Sequence, residues 1–301
     1  MSAEGEQKRE WTAEELEERK KYIATDEEFK HFLDIMDSDD GFTVVSDDQK
    51  KHLKVLTKPA PDTPIAAIKV ETYYEDLEPE VVYDALHDHY FRRTWDDHMI
   101  EGSIIEQVDP FNEVGYYSCK MPFPIANRDY CNHRSWKVFP ERKTWVIFNK
   151  SVLHPDCPVE PKFTRGWSFF SGYYLQKREE GGCIMKYYTH NDPRGWLPTL
   201  AINLVSQKVA PSLLTQLHEN ALKYPDWKKN NHPDWKPWLT GFDVHEKPYC
   251  QHVPTPEAIK NAEKEKAAKA ASKYFPGVTR EGNHVFFFIS YCLSDDDDLM
   301  M

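Results

Sequence analysis

No stretch of this 301-residue chain approaches the roughly 18 consecutive apolar residues that a membrane-spanning helix needs. The densest run, Val285 to Ile289, is far too short. Near Met1 there is no apolar segment of the signal-peptide kind, and the six cysteines, at positions 119, 131, 157, 183, 250 and 292, include no C-x-x-C pair. A reducing, cytoplasmic setting is therefore expected. Basic charge is also short, with 38 Lys and Arg against 50 Asp and Glu for a net charge of -12, which argues against a nucleic-acid partner. It argues equally against constant adhesion to anionic lipid, so any membrane association is expected to be transient and peripheral. There is no G-x-S-x-G, Walker loop or dinucleotide fingerprint to support a serine hydrolase, an NTPase or a Rossmann enzyme. His87, His89 and His98 lack a completing cysteine or carboxylate, and no metal site is expected.

What is present is a long alternation of strands bracketed by helices. Residues 1–25 are charged and poor in large aliphatics, and read as a solvated extension, either a frayed helix or no regular structure. Phe29, Phe32, Leu33 and Met36 recur at helical spacing before Gly41. Strand patterns follow at 42–46, 52–57 and 65–74, and a helix opens at Pro79 with Val82, Ala85, Leu86 and His89 on one face, extended by Arg92 and Asp96. Further strands are expected at 104–108, 115–121, 128–139, 144–153, 165–176 and 183–190, about nine in all. A long helix from Pro198 to Tyr224 carries Leu204 and is expected to kink at Pro211. The tetrad Pro-Asp-Trp-Lys at 225–228 and 233–236 reads as an extended, Trp-rich strap. The expected organisation is thus an extension at 1–25, a domain at 26–240, and a C-terminal extension at 241–301 with an exposed helix and an acidic tail.

The organising stretch is 115–130. Tyr117 alternates along one strand, Pro122 and Pro124 end it, and a second strand from Arg128 carries Tyr130. Two aromatics on one concave sheet serve either as core or as half of a ligand cage. Arg92 and Asp96 form either an exposed i,i+4 pair or a buried one, and a buried ion pair is a poor source of stability by itself. A phosphate acceptor is a better reason for such an arginine.

Three motifs, F-R-R-T-W-D at 91–96, P-F-P-I-A-N-R-D-Y at 122–130 and D-P-R-G-W-L-P at 192–198, resemble the START-domain lipid-transfer proteins in joint order and spacing. Within that family the resemblance is to the phosphatidylcholine-transfer subgroup. It implies an α+β helix-grip fold, a curved antiparallel sheet around the long C-terminal helix, with an internal lipid cavity and that helix as lid (Pro198, Leu204, Pro211). It implies a bound phospholipid as cargo, phosphatidylcholine or phosphatidylethanolamine, exchanged between membranes without covalent chemistry or cofactor. By motif, Arg92 and Asp96 meet the phosphate region, and Tyr117, Tyr130 and Phe169 enclose choline, each aromatic face contributing about 0.5–2 kcal/mol. Arg165 and Trp167 share the Phe169 strand and are expected to line the same cavity. A cyclase-like enzyme of the helix-grip superfamily, with Asp96 as its acid or base, is the rival, and a lipid-gated interaction protein is a third reading. Ser294, followed by four aspartates, fits an acidophilic kinase of the casein kinase 2 type.

Overall fold

Alternating apolar residues place most of this chain in one antiparallel sheet. The computed structural model describes residues 12–242 except Asp62, Pro64, Pro122 and 197–209. Its ten strands are β1 (Thr43–Asp48), β2 (Leu53–Lys58), β3 (Ala67–Tyr74), β4 (Met99–Asp109), β5 (Asn112–Cys119), β6 (Arg128–Phe139), β7 (Thr144–Ser151), β8 (Thr164–Arg165), β9 (Trp167–Lys177) and β10 (Cys183–Asp192). The order β1-β2-β3-β10-β9-β7-β6-β5-β4 is open, with the two-residue β8 lying parallel beside β6 off the main path. The nine expected strands are all present. β4 and β5 start earlier than their apolar patterns suggest, at Met99 and Asn112, because polar residues pair there across the β4–β5 hairpin.

Helices cover both faces. On the outer face lies α2 (Asp26–Asp37), opened by a capping box between Thr25 and Glu28. Its Phe29, Phe32, Leu33 and Met36 pack on Val146, Phe148, Tyr174 and Tyr188. On the inner face α3 (Pro79–His87) and α5 (Ala210–Ala221) share a core with Val70, Ile147, Leu175 and Met185. The expected helix from Pro198 is described only from Ala210; Pro198 and Leu204 lie outside the described residues, and Pro211 is helical and buried in α5. The hydroxyl of Tyr74 donates to the Leu214 carbonyl oxygen at 2.7 Å, tying α5 to β3.

Two expectations change at the chain ends. Residues 13–19 form helix α1, and the buried Arg19 donates to the carbonyl oxygens of Gln107 and Val108, while the Tyr22 hydroxyl donates to that of Leu153. The end of the charged extension is thus fastened to the sheet, because one long side chain satisfies edge-strand carbonyls. The first half of the strap is helical where it was expected to be extended: Pro225 and Pro237 stand in the first turns of α6 (Tyr224–Lys229) and α7 (Pro237–Thr240), where a missing amide costs nothing, and the second tetrad, 233–236, is the turn between them. The exposed helix expected within 241–301, the apolar run Val285 to Ile289 and Ser294 lie outside the described residues.

β9 and β7 approach too closely for a side chain at Gly172. A Cβ there falls 2.3 Å from the Ile147 oxygen and 2.8 Å from the Phe148 Cα. Gly172→Ala is expected to cost about 2–3 kcal/mol through forced backbone shifts, read as a lower Tm; an unchanged Tm contradicts this packing.

Acid should weaken the fold as well. His133 is fully buried, within 3.1 Å of Asn112 Oδ1 and 2.6 Å of Ser135 Oγ. Burial, reinforced by Lys150, pushes its pKa down to about 4, and burial lowers those of His87 and His89 too. A base depressed in the folded state binds its proton mainly after unfolding, so its contribution is full above pH ~6.5 and is lost as pH falls towards about 4. For His133 alone that is roughly 3 kcal/mol. A Tm that falls across this window in the wild type, and less steeply in His133→Gln, is expected; a flat wild-type profile contradicts it.

Candidate functional site

The helix expected to run from Pro79 through Asp96 breaks at Asp88, which has φ -75° and ψ 94°. Its carboxylate accepts from the Phe91 amide at 3.2 Å, capping the short helix α4 (His89–Arg92), and from Lys228 Nζ at 2.8 Å. Asp96 therefore lies in the turn after α4, not on one continuous stripe. It still meets Arg92, because the turn closes with an Asp96 amide to Arg92 carbonyl bond of 3.0 Å.

Arg92 Nε donates to Asp96 Oδ2 at 3.0 Å, and the Tyr117 hydroxyl donates to the same oxygen at 3.2 Å. The other Asp96 oxygen accepts from the Met99 amide at 3.2 Å. The guanidinium lies 5.2 Å from the centroid of the Tyr117 ring. Its Nη1 and Nη2 make no hydrogen bond among the described residues, and 25% of the side chain remains accessible. Burial opposes the charge on Arg92, but Asp96 and the nearby phenols of Tyr173 and Tyr117 more than offset it, so its pKa is raised. Burial and then Asp96 push the Tyr117 phenol well up, keeping it a neutral donor. The neighbouring Arg93 is already used, donating to the Gly102 carbonyl oxygen.

Tyr130 pairs directly with Tyr117 across β5 and β6, so both rings stand on the inner face. Gly166 makes room for Tyr130: a Cβ there lies 2.4 Å from Tyr130 Cε1. Farther along that face Tyr173 and Tyr187 pair across β9 and β10, with ring centroids 5.0 Å apart. Both belong to the electrostatic neighbourhood of Arg92, and the sequence reading missed them. The doublets Tyr173-Tyr174 and Tyr187-Tyr188 hold one inner and one outer tyrosine each, and only the register distinguishes them.

Phe169, Arg165 and Trp167 are not brought to this group. The β9–β10 register slips so that His190 opposes Phe170 and Asn191 opposes Ser168, leaving Phe169 as the extra residue of a bulge. Thr189 and Asn191 both contact Ser171, so His190 between them points to the other face, and Phe169 stacks on His190 at 4.6 Å. Arg165 clamps the buried Asp129 carboxylate at 3.1 and 2.9 Å, beside Cys157. Asp129 alternates with Tyr130, which sets Arg165 on the outer face. Trp167 lies against Arg194, 5.3 Å away.

Among the described residues no group of three or more His, Cys, Asp or Glu is placed to hold a metal ion, and no helix is long and apolar enough to cross a membrane. His87 instead stacks on Trp238 at 5.7 Å, and His89 faces Glu113 at 3.5 Å. A separate cleft of about 250 Å³ lies between α3 and the strap. Its Lys228, Lys229 and Lys236 are engaged by Asp88, Asp226 and Asp84, so it offers no uncommitted cation.

The START domain matches residues 24–228, and the chain belongs to the START-domain family with its helix-grip fold. Mouse START domain-containing protein 10 is 32% identical over 218 residues, 72% of this chain and 74% of that protein. The crystal structure of human STARD10 superposes with a TM-score of 0.68 at 32% identity, covering 72% of this chain and 88% of that one. Bovine phosphatidylcholine transfer protein is 27% identical over 164 residues, 54% of this chain and 76% of that protein.

Proposed function

We propose that this protein binds one glycerophospholipid, phosphatidylcholine first and phosphatidylethanolamine second, and transfers it between membranes. The observation that carries this reading is Arg92, anchored through Nε to Asp96 with both terminal nitrogens uncommitted beside the Tyr117–Tyr130 row. Those nitrogens offer paired donors to phosphate oxygens. Tyrosine faces suit a quaternary ammonium, which has no N–H to donate. The START-domain relatives support a lipid cargo, and one of them carries phosphatidylcholine transfer in its name.

A covered site matters because exposing two acyl chains to water costs about 0.8 kcal/mol per methylene, on the order of 20 kcal/mol in total. Transfer then depends on opening at the membrane, with the segment 198–224 as lid and Pro211, which lacks an amide donor, as its pivot. Transient, peripheral contact is assigned to Phe123, 95% exposed, and Trp196, 65% exposed. Arg128 holds their two loops together by donating to the carbonyl oxygens of Ala126, Pro193 and Arg194. We place the protein in the cytoplasm, and we keep Ser294 as the site of an acidophilic kinase whose phosphate adds negative charge to the tail.

The enzyme reading is weaker because both Asp96 oxygens already accept hydrogen bonds, which suits positioning better than proton transfer. The interaction-protein reading rests on the Trp-rich strap or the C-terminal tail; Trp238 and Lys228 of the strap are packed inside, and the tail lies outside the described residues. Transfer of a fluorescent phosphatidylcholine between donor and acceptor vesicles tests the proposal. Catalytic amounts of protein should accelerate it well above the spontaneous rate; no acceleration with any glycerophospholipid contradicts it.

A further inference from the structure

A band of small polar side chains crosses the inner face between the Tyr117–Tyr130 row and the Tyr173–Tyr187 pair. The Ser168 amide donates to Ser151 Oγ at 2.8 Å, and Ser151 Oγ donates to Asn132 Oδ1 at 2.8 Å. Ser168 Oγ lies 2.8 Å from Ser171 Oγ, which donates to Asn191 Oδ1 at 2.8 Å and is 3.3 Å from Thr189 Oγ1. The chain of contacts thus runs over β6, β7, β9 and β10.

These contacts orient two amides. Ser151 Oγ accepts from the Ser168 amide and donates its own proton to the Asn132 amide oxygen. At Asn191 the amide oxygen accepts from the Ser171 hydroxyl. Each asparagine is left with its Nδ2 donor making no hydrogen bond among the described residues, and both side chains are only part-buried. Asn132 stands two residues beyond Tyr130 on the same face, about 7 Å along the strand. Its partner across β5 is Gly115, where a Cβ meets, among the described residues, only the Ser103 oxygen at 3.6 Å, which leaves space beside the amide.

An amide donor held in place calls for an acceptor on the ligand, and with the phosphate assigned to Arg92 the acceptors left are the ester carbonyl oxygens. Resting on the phospholipid reading, we propose that Asn132 and Asn191 form a subsite for the ester carbonyl oxygens that join the acyl chains to glycerol. The protein therefore selects diacyl lipids over ether-linked ones with the same headgroup. An alkyl ether has no carbonyl, and its oxygen is a weaker acceptor, so both amides lose their partners. A buried donor left unsatisfied is costlier than a bond never built, and two such losses correspond to about a 10-fold or greater preference.

The test incubates the full chain with vesicles containing equal amounts of a diacyl phosphatidylcholine and its 1,2-dialkyl counterpart of matched chain length. The lipid carried away is then counted by mass spectrometry. The wild type should load the diacyl form by about 10-fold or more, and in Asn132→Leu with Asn191→Leu the diacyl-to-dialkyl ratio of the lipid that is loaded should fall to near unity. Equal loading by the wild type overturns the subsite, as does an undiminished preference in the folded double variant. The wild-type ratio is read without any variant, so a substitution that fails to fold leaves the test intact. A wild type that loads neither lipid overturns the phospholipid reading itself, which is a separate outcome.

Discussion

Arg92→Met is expected to lower phosphatidylcholine transfer by about 100-fold while leaving the protein folded. The reason lies in how the guanidinium is divided. Its Nε edge is held by Asp96, 3.0 Å away, and its two terminal nitrogens are left for a ligand. Two charge-assisted hydrogen bonds in a covered site contribute roughly 1.5–3 kcal/mol each, and methionine supplies neither. Removing the arginine alone also leaves the buried Asp96 carboxylate without its cation, which costs stability on its own account. The double variant Arg92→Met with Asp96→Asn removes that difficulty and should transfer as poorly as the single variant with a Tm closer to wild type. Arg92→Lys retains the charge but not the planar fork, and should fall between. A double variant that transfers within threefold of wild type would show that the phosphate lies elsewhere.

The second large effect is on stability, and it comes from the strap. Trp238 is 1% exposed, donates from Nε1 to Asp84 Oδ1 at 2.6 Å, and stacks on His87 at 5.7 Å. Its carbonyl oxygen accepts from Trp136 Nε1 at 3.2 Å. Trp238→Ala is expected to cost about 3–5 kcal/mol, combining lost contact, a cavity and an Asp84 oxygen without its donor. For a domain of this size that lowers Tm by roughly 6–20 °C. Trp238→Phe keeps part of the ring packing and loses the donor, so its Tm should lie between the two. Asp84 and Asp88 fasten α3 to the strap, and α4 follows directly, so the alanine variant should also bind lipid less tightly. A Tm drop below 3 °C contradicts this anchoring role.

The contrast between what was legible in the chain and what was not follows the range of the interactions. Period-two alternation marked every main strand, and Tyr117 and Tyr130 were readable as partners because β5 and β6 are consecutive antiparallel strands joined by residues 120–127. Arg92 and Asp96 meet within one turn of chain, so their pairing survived even though the helix expected to carry them breaks. The break itself was hidden: Asp88 reads as an ordinary helix residue until Lys228, distant in sequence, arrives beside it. Phe169 was misplaced by one inserted residue, since a bulge reverses the facing of everything beyond it. Arg165 follows from a two-residue parallel pairing with β6 that no periodicity announces. Tyr173 and Tyr187 were hidden in doublets whose inner member is chosen only by strand register. The strap's prolines looked like marks of extended chain, but the same residue type opens helices.

The central claim is that Arg92 holds the phosphate of a single bound phospholipid. Native mass spectrometry of the protein purified from cells, with extraction and identification of what it carries, tests this most directly. One glycerophospholipid per chain on the wild type, and its loss from the folded Arg92→Met, Asp96→Asn variant, is the expected result. A sterol, another phosphate-free ligand, or an unchanged phospholipid load on that variant contradicts it.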